Sequence, residues 1–203
     1  MTIKLAGVVI LAGGESSRMG SPKALLSLPN GETLLDFHIR HAKRLNVPVM
    51  VADNGKRLCH DTTVKIIDDY LPNQQNGKGG GALSAMASAM NQVMSPYHYL
   101  LVISCDSLIQ AHQVFDKLRY AVTDNEAVIY LKAEKDYPLL GLYRTDLLIK
   151  LYDYLDKGQR AVMKFLADKK IQTAALPNEW ITLANFNTKN EFDLALNSLN
   201  EIG

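Results

Sequence analysis

Residues 6–12, Ala-Gly-Val-Val-Ile-Leu-Ala, form a short, continuous apolar run that is rich in β-branched side chains. Such a run predicts a strand that is covered on both faces of a sheet. A second run of this kind, His-Tyr-Leu-Leu-Val-Ile-Ser, covers residues 98–104. Around these two runs, segments with helical spacing alternate with strand-like segments. This alternation favours a layered α/β domain with a mainly parallel sheet.

The apolar spacing predicts the remaining elements. Strand-like segments cover residues 48–53, 63–68, 126–132 and 139–143. Helical spacing covers residues 32–45, 83–90, 110–121, 145–155, 159–167 and 190–199. No repeat, low-complexity tract or linker divides the chain, so we expect residues 1–203 to form a single domain.

Composition excludes several classes of protein. The chain has 203 residues with 22 Lys and Arg against 21 Asp and Glu, and a net charge near zero disfavours nucleic acid as the main partner. No apolar run approaches the ~20 residues that a membrane helix requires. The histidines lack the H-E-x-x-H spacing of metalloproteases. Cys59 and Cys105 have no metal-binding spacing and are expected to be reduced thiols of a cytoplasmic protein.

Glycines and basic residues follow the first predicted strand. Residues 11–23 read Leu-Ala-Gly-Gly-Glu-Ser-Ser-Arg-Met-Gly-Ser-Pro-Lys. Gly13 and Gly14 allow backbone N–H groups to approach an anion closely, while Arg18 and Lys23 supply positive charge. The spacing matches neither G-x-x-x-x-G-K-[ST] nor G-x-G-x-x-G. We therefore predict a triphosphate-binding loop of another type. The alternative is a structural turn.

Polar side chains also follow the other predicted strands. Asp106 comes after the run at residues 98–104, where a carboxylate suits Mg²⁺ together with substrate phosphates. The alternative is that Asp106 caps the next helix. Asp69 shares this ambiguity, and Asn54 could contact a base or sit in a turn. The glycine-rich residues 73–81 suggest a flap, a second anion site or a plain loop.

Several motifs of the sequence resemble those of a known family. Residues 11–23 are similar to the signature of cytosolic nucleotidyltransferases, and Gly13-Gly14 resembles the molybdenum cofactor guanylyltransferase branch. Further similarities to this branch are found at Asp69, 81–83 (Gly-Ala-Leu), 105–106 (Cys-Asp), 160–165 (Arg-Ala-Val-Met-Lys-Phe) and 185–188 (Asn-Phe-Asn-Thr). One departure is Gly55, which follows Asn54 where the family often has arginine.

The resemblance implies a three-layer, Rossmann-like nucleotidyltransferase fold with a mostly parallel central sheet. It implies transfer of GMP from GTP to molybdopterin or molybdenum cofactor, with Mg²⁺ as cofactor and with cofactor-delivery and acceptor proteins as further partners. It assigns catalysis to Arg18, Lys23 and Asp106, with Asp106 on the metal. It assigns GTP binding to Leu11, Ala12, Gly13, Lys23, Asn54, Asp69 and Asp106, and the pterin side to Arg160, Asn185 and Asn187.

Two alternatives remain open at this stage. The first is a cytidylyltransferase that acts on the same pterin, or another nucleotidyltransferase of small substrates. The second is a non-catalytic nucleotide-binding protein on the same fold, since a fold alone does not determine function. The presence of Arg18, Lys23 and Asp106 together argues against the second, because a sensor has no need for the metal ligand.

Overall fold

A computed structural model of the chain describes residues 3–14, 21–71, 80–93, 95 and 97–202. Its centre is a sheet of seven strands among these residues. The strands are β1 (Leu5–Leu11), β2 (Val49–Ala52), β3 (Lys65–Ile67), β4 (Tyr99–Ser104), β5 (Val128–Lys132), β6 (Asp136–Arg144) and β7 (Ile171–Ala175). The two apolar runs that predicted buried strands are therefore confirmed as β1 and β4.

The sheet has the order β3-β2-β1-β4-β6-β5-β7. All neighbouring pairs are parallel except those of β6, which runs antiparallel to both β4 and β5. The mostly parallel sheet is thus confirmed. The chain leaves β1 toward one edge to form β2 and β3, and later returns to place β4 on the other side of β1. This reversal creates a switch point at the carboxyl ends of β1 and β4, which is where open α/β sheets bind ligands.

Helices cover both faces of the sheet, which confirms the three-layer architecture. They are α1 (Leu34–Lys43), α2 (Gly81–Gln92), α3 (Ala111–Arg119), α4 (Leu148–Asp156), α5 (Val162–Leu166) and α6 (Lys189–Ile202). One hydrophobic core joins α1, α3 and α6 to one face, where Val8 and Ile10 of β1 point. The other joins α2, α4 and α5 to the opposite face, where Val9 points. The alternation along β1 follows from the two-residue period of a strand.

Local sequence explains where α1 begins. Thr33 Oγ1 accepts a hydrogen bond from the Asp36 backbone N–H, and the Asp36 carboxylate accepts one from the Thr33 N–H. This capping box satisfies two N–H groups that a helix terminus would leave unpaired. The chain before α1 is tied to it, because the Leu34 N–H donates to the Leu26 carbonyl over 2.8 Å. The short 3₁₀ turn Lys23–Leu25 is therefore held next to the start of α1.

The structure differs from the sequence-based expectation in three elements. Strand β7 was not predicted, because Ile-Gln-Thr-Ala-Ala has few large apolar residues and lies at an edge of the sheet. The helix expected over residues 159–167 is confined to α5. The helix expected from Thr145 begins as a 3₁₀ turn before α4. No helix in the described part of the chain is long and apolar enough to cross a membrane.

Candidate active site

The candidate site lies at the carboxyl ends of three adjacent parallel strands, β2, β1 and β4. Leu11 of β1 is paired in register with Ala52 of β2 and with Ser104 of β4. The segments that follow these three residues must therefore emerge side by side. They bring together the glycines after β1, Asn54 after β2 and Asp106 after β4.

Gly13 and Asn54, in the loops that follow β1 and β2, are in direct contact. A Cβ atom placed on Gly13 would lie 2.8 Å from Asn54 Cβ and 3.2 Å from the Asn54 backbone nitrogen. Asn54 has a φ of 59° and Gly55 a φ of 74°, so both adopt the left-handed conformation of a tight turn. Asparagine and glycine tolerate this conformation best. Asn54 therefore lies in a turn, which was one of the two alternatives that the sequence left open.

A buried carboxylate fixes this turn. Asp53 is fully buried, and its Oδ1 and Oδ2 atoms accept hydrogen bonds from the backbone N–H groups of Gly55 and Leu58 at 3.1 and 2.7 Å. Backbone donors compensate the loss of water around a buried carboxylate. Asp53 thereby holds Asn54 against Gly13. The sequence prediction missed this role, because Asp53 was placed only at the end of a strand.

Lys56 is a second residue that the sequence prediction missed. Its Nζ atom donates hydrogen bonds of 3.3 Å to the carbonyl oxygens of both Gly13 and Gly14. It therefore joins the loop after β2 to the loop after β1 and adds a cation at the strand ends. The sequence did offer a signal for this role. Position 55 is glycine where the family often has arginine, and the next residue, Lys56, is basic.

Asp106 is held by a segment from the C-terminal part of the chain. Its Oδ2 atom accepts a hydrogen bond of 2.8 Å from Asn185 Nδ2, and its backbone carbonyl accepts one of 2.9 Å from the Phe186 N–H. Helix α3 begins at Ala111, with Gln110 at its N-cap. The alternative that Asp106 caps this helix is therefore wrong. Its side chain stays 25% exposed, which leaves the carboxylate accessible.

Lys23 connects Asp106 to the same C-terminal segment. Its Nζ atom donates to the Phe186 carbonyl over 2.7 Å and to Asn187 Oδ1 over 3.0 Å. It lies 3.9 Å from Asp106 Oδ2. Asn187 in turn donates from Nδ2 to Asn185 Oδ1 over 2.8 Å. Lys23, Asp106, Asn185 and Asn187 therefore form one polar cluster.

Asp69 lies two residues beyond the end of β3. Burial raises the pKa of its carboxyl group to about 6, and the negative charges of Asp68 and Asp53 act in the same direction. The next residues are fixed to the start of α2, since the Leu71 N–H donates to Ser84 Oγ over 2.7 Å. As a half-buried carboxylate, Asp69 can accept hydrogen bonds from N–H donors of a ligand.

Arg160, which was predicted to face the pterin, is not part of this cluster. The Arg160 guanidinium donates to the backbone carbonyls of Leu155 and Gln159 at the end of α4, over 2.7 and 2.6 Å. In the described part of the chain, no hydrogen bond joins Arg160 to Asn185 or Asn187. Arg18 and most of the glycine-rich residues 73–81 lie outside the described residues.

Comparison with known proteins gives the family. Residues 8–172 match the family model described as the MobA-like NTP transferase domain. The chain belongs to the MobA-like NTP transferase family. It is a nucleotidyltransferase. A relative from Bacillus cereus strain AH820 is named a probable molybdenum cofactor guanylyltransferase and is 30% identical over 202 residues, covering 93% of this chain and 94% of the relative. A relative of the same name from Mycobacterium avium strain 104 is 29% identical over 93% of both chains.

Solved structures confirm the nucleotidyltransferase fold. Molybdopterin-guanine dinucleotide biosynthesis protein A from Archaeoglobus fulgidus superimposes with a TM-score of 0.75 at 16% identity, covering 96% of this chain and 99% of that one. A 2-C-methyl-D-erythritol 4-phosphate cytidylyltransferase from Thermus thermophilus gives a TM-score of 0.66 at 14% identity, covering 98% and 100%. The fold is thus shared with a protein that is named a cytidylyltransferase.

The donor atoms of the MobA-like site fit Mg²⁺ only in combination with a substrate. Among the described residues, no group of three or more His, Cys, Asp and Glu side chains could hold a metal ion by itself. Asp106 instead offers one accessible carboxylate, which Asn185 orients. Magnesium is commonly bound through one or two carboxylates plus substrate phosphates. The residues present therefore fit a metal ion that arrives with a nucleoside triphosphate.

The close approach of Gly13 to Asn54 gives a first testable prediction. We expect Gly13→Ala to reduce the free energy of unfolding by about 1–3 kcal/mol, because the new Cβ atom must displace a turn that Asp53 holds rigidly. We also expect weaker GTP binding, because the same displacement moves both strand-end loops. Denaturant titration and calorimetric GTP titration measure the two effects.

The neighbouring glycine provides a matched control. A Cβ atom on Gly14 meets no described atom within 4 Å. Gly14→Ala should therefore leave the free energy of unfolding close to that of the wild type. An equal loss of stability in the two variants would contradict the proposed importance of the Gly13–Asn54 contact.

Proposed function

We propose that this enzyme transfers GMP from GTP to the terminal phosphate of molybdopterin or molybdenum cofactor, and releases pyrophosphate. The observation that carries the proposal is the convergence of Lys23, Asp106, Asn185 and Asn187 beside the Gly13–Asn54 contact. The names of the relatives, which match over more than nine-tenths of the chain, support the choice of substrates. GTP and the pterin are therefore its proposed partners.

The proposed reaction needs positioning and charge neutralisation more than covalent help from the protein. An oxygen of the pterin phosphate attacks the α-phosphorus of GTP and forms a new P–O bond. The bond between the α-phosphorus and the bridging oxygen breaks, and pyrophosphate leaves with those electrons. No protein nucleophile is required, because the acceptor phosphate is itself the nucleophile.

Both reactants are anions, so the protein must supply positive charge. Lys23 sits within 4 Å of Asp106, where a triphosphate held at the strand ends would pass. Asp106 would hold Mg²⁺, which neutralises phosphate charge and orients the oxygens when bound. Arg18, which the sequence places in the same loop, is proposed to add a second cation. Asn185 and Asn187 keep the carboxylate and the ammonium group in place.

We assign the base and the pterin to two different groups of residues. Leu11, Ala12, Gly13, Asn54 and Asp69 are proposed to contact GTP. The Asp69 carboxylate can accept from the N1–H and N2–H donors of guanine, and the backbone near Gly13 can donate to O6. Arg160, Asn185 and Asn187 are proposed to face the pterin, and the two backbone bonds of Arg160 use only its Nη1 atom. We place the activity in the cytoplasm, which agrees with two free cysteines.

The choice of nucleotide gives the deciding experiment. We expect GTP to be preferred over CTP and ATP by at least about tenfold in kcat/KM, because a site built for one set of donors leaves buried groups unpaired with another base. Pyrophosphate release would be measured with molybdopterin and each nucleotide at equal Mg²⁺ concentration. Omission of molybdopterin controls for nucleotide hydrolysis.

The other outcomes identify the alternatives. A preference for CTP would assign the protein to cytidylyl transfer, the activity named for its structural neighbour from Thermus thermophilus. GTP binding without pyrophosphate release, with or without molybdopterin, would indicate a nucleotide-binding protein that lacks the proposed activity.

A further inference from the structure

The buried histidine His38 lies on α1 and contacts the segment that carries Asp106. Its Nε2 atom is 2.8 Å from the backbone carbonyl oxygen of Ser107, and both residues are fully buried. A carbonyl oxygen only accepts hydrogen bonds, so the proton of the neutral ring must lie on Nε2. The bond therefore specifies both the tautomer and the orientation of the ring.

Packing alone does not account for a histidine at this position. Its second ring nitrogen, Nδ1, is buried and has no hydrogen-bond partner among the described residues. An unpaired buried polar atom lowers stability, and an apolar side chain of similar size would avoid it. Burial lowers the pKa of His38 to about 4, so the ring stays neutral at physiological pH. What the imidazole provides is its single N–H donor to Ser107.

The Ser107 carbonyl belongs to a turn that is fixed on several sides. The Leu108 N–H donates to the Leu183 carbonyl, and the Ile109 N–H donates to Ser107 Oγ. The Asp106 carbonyl accepts from the Phe186 N–H. The C-terminal segment thus holds this turn from one side, and His38 holds it from the side of α1.

Helix α1 also controls the position of Lys23. The 3₁₀ turn that begins at Lys23 is joined to the start of α1 through the bond from the Leu34 N–H to the Leu26 carbonyl. The His38–Ser107 bond therefore connects the element behind Lys23 to the turn behind Asp106. These are the two charged groups that lie 3.9 Å apart in the candidate site.

We infer that His38 is a positioning residue for the Asp106 carboxylate, acting through its hydrogen bond to the Ser107 carbonyl. This inference rests on the proposed function, because it concerns the carboxylate assigned there to the metal. It predicts that loss of the N–H donor affects the metal-dependent step more than nucleotide binding. A displacement near 1 Å at a reacting centre can reduce a rate about a hundredfold.

Three variants of the full chain separate positioning from packing. His38→Leu removes the donor, and His38→Gln keeps an N–H group at the end of a side chain with similar reach. His41→Leu is the matched control, because His41 is buried on the same helix but its ring lies against Phe37 and His112. Each variant is measured for Mn²⁺ affinity in the presence of GTP by electron paramagnetic resonance, for kcat and KM, and for the free energy of unfolding.

We expect His38→Leu to lower Mn²⁺ affinity and kcat by at least about tenfold while the KM for GTP changes much less. His38→Gln should restore most of both losses, and His41→Leu should leave Mn²⁺ affinity and kcat close to those of the wild type. Wild-type Mn²⁺ affinity and kcat in a folded His38→Leu protein would overturn the inference. So would a failure of His38→Gln to improve on His38→Leu.

Nitrogen-15 NMR of the wild-type protein provides a test that requires no variant. The ring of His38 should show the Nε2-protonated neutral tautomer from pH 8 to pH 6, and the Nδ1 tautomer would overturn the inference even if His38→Leu did not fold. The Mn²⁺ and NMR measurements need no pterin. If wild-type protein failed to form the dinucleotide but His38→Leu still lost Mn²⁺ affinity, the proposed function would fail and the positioning role would stand.

Discussion

Replacing Asp106 with alanine is expected to reduce pyrophosphate release by about 10²–10³-fold or more, because the substitution removes the accessible carboxylate proposed to hold Mg²⁺ beside the triphosphate. The protein should still unfold cooperatively, since the Asp106 backbone carbonyl keeps its bond from Phe186. Pyrophosphate release at increasing Mg²⁺ concentration, with molybdopterin and GTP in excess, measures the effect.

Asp106→Asn separates the charge of this side chain from its shape. The asparagine oxygen can still accept the hydrogen bond that Asn185 donates to Asp106 Oδ2, but it lacks the negative charge that a carboxylate offers to Mg²⁺. We expect a loss nearly as large as that of Asp106→Ala. Substitution of the exposed Asp116 on α3 controls for a general change of charge. Near-normal turnover in both Asp106 variants would show that this carboxylate has only a structural role.

Replacing Lys23 with alanine is expected to weaken GTP binding and turnover by about tenfold to a hundredfold, the equivalent of one charge-assisted hydrogen bond of about 1.5–3 kcal/mol. The substitution removes the ammonium group near Asp106 and also its bonds to the Phe186 carbonyl and Asn187. GTP affinity by calorimetry and steady-state rates distinguish binding from catalysis.

The control variant for Lys23→Ala removes a positive charge at a position far from the site in sequence. Lys117→Ala, at an exposed position on α3, should leave GTP affinity and rate unchanged. Lys23→Arg keeps the charge but replaces a compact ammonium group with a planar guanidinium group. We therefore expect only partial recovery of GTP affinity and rate. Unchanged affinity and rate in Lys23→Ala would show that the loop after β1 is structural.

The parts of the fold that could be predicted are those with strong local signals. The continuous apolar runs of β1 and β4 and the helical spacing of α1 required no knowledge of distant residues. Strand β7 has no such signal, because its position depends on pairing with β5. The antiparallel direction of β6 was likewise not foreseen, since alternation along a strand does not reveal the direction of its neighbours.

The same distinction applies to the site. Gly13, Asn54 and Asp106 could be proposed because each follows a recognisable strand. Asn185 was assigned to the pterin from the resemblance, and the structure shows that it also donates to Asp106. The contacts of Lys56 and His38 were missed, because they depend on how a turn or a helix packs against a loop from another part of the chain. The spacing of residues along the sequence does not reveal such packing.

The hydrogen bonds from Lys23 to residues 186 and 187 join positions that are 163 and 164 residues apart in the chain. During synthesis, the seven strands of the described sheet are complete once residue 175 has been added, yet Asn185, Phe186 and Asn187, which bond to Lys23 and Asp106, are still missing. A nascent chain can therefore build its sheet before it has a complete candidate site. A protein truncated after β7 would retain these strands and lack Asn185 and Asn187. Because residues 185–187 can dock only after the sheet that carries Lys23 and Asp106 has formed, assembly of the candidate site should be among the last events of folding.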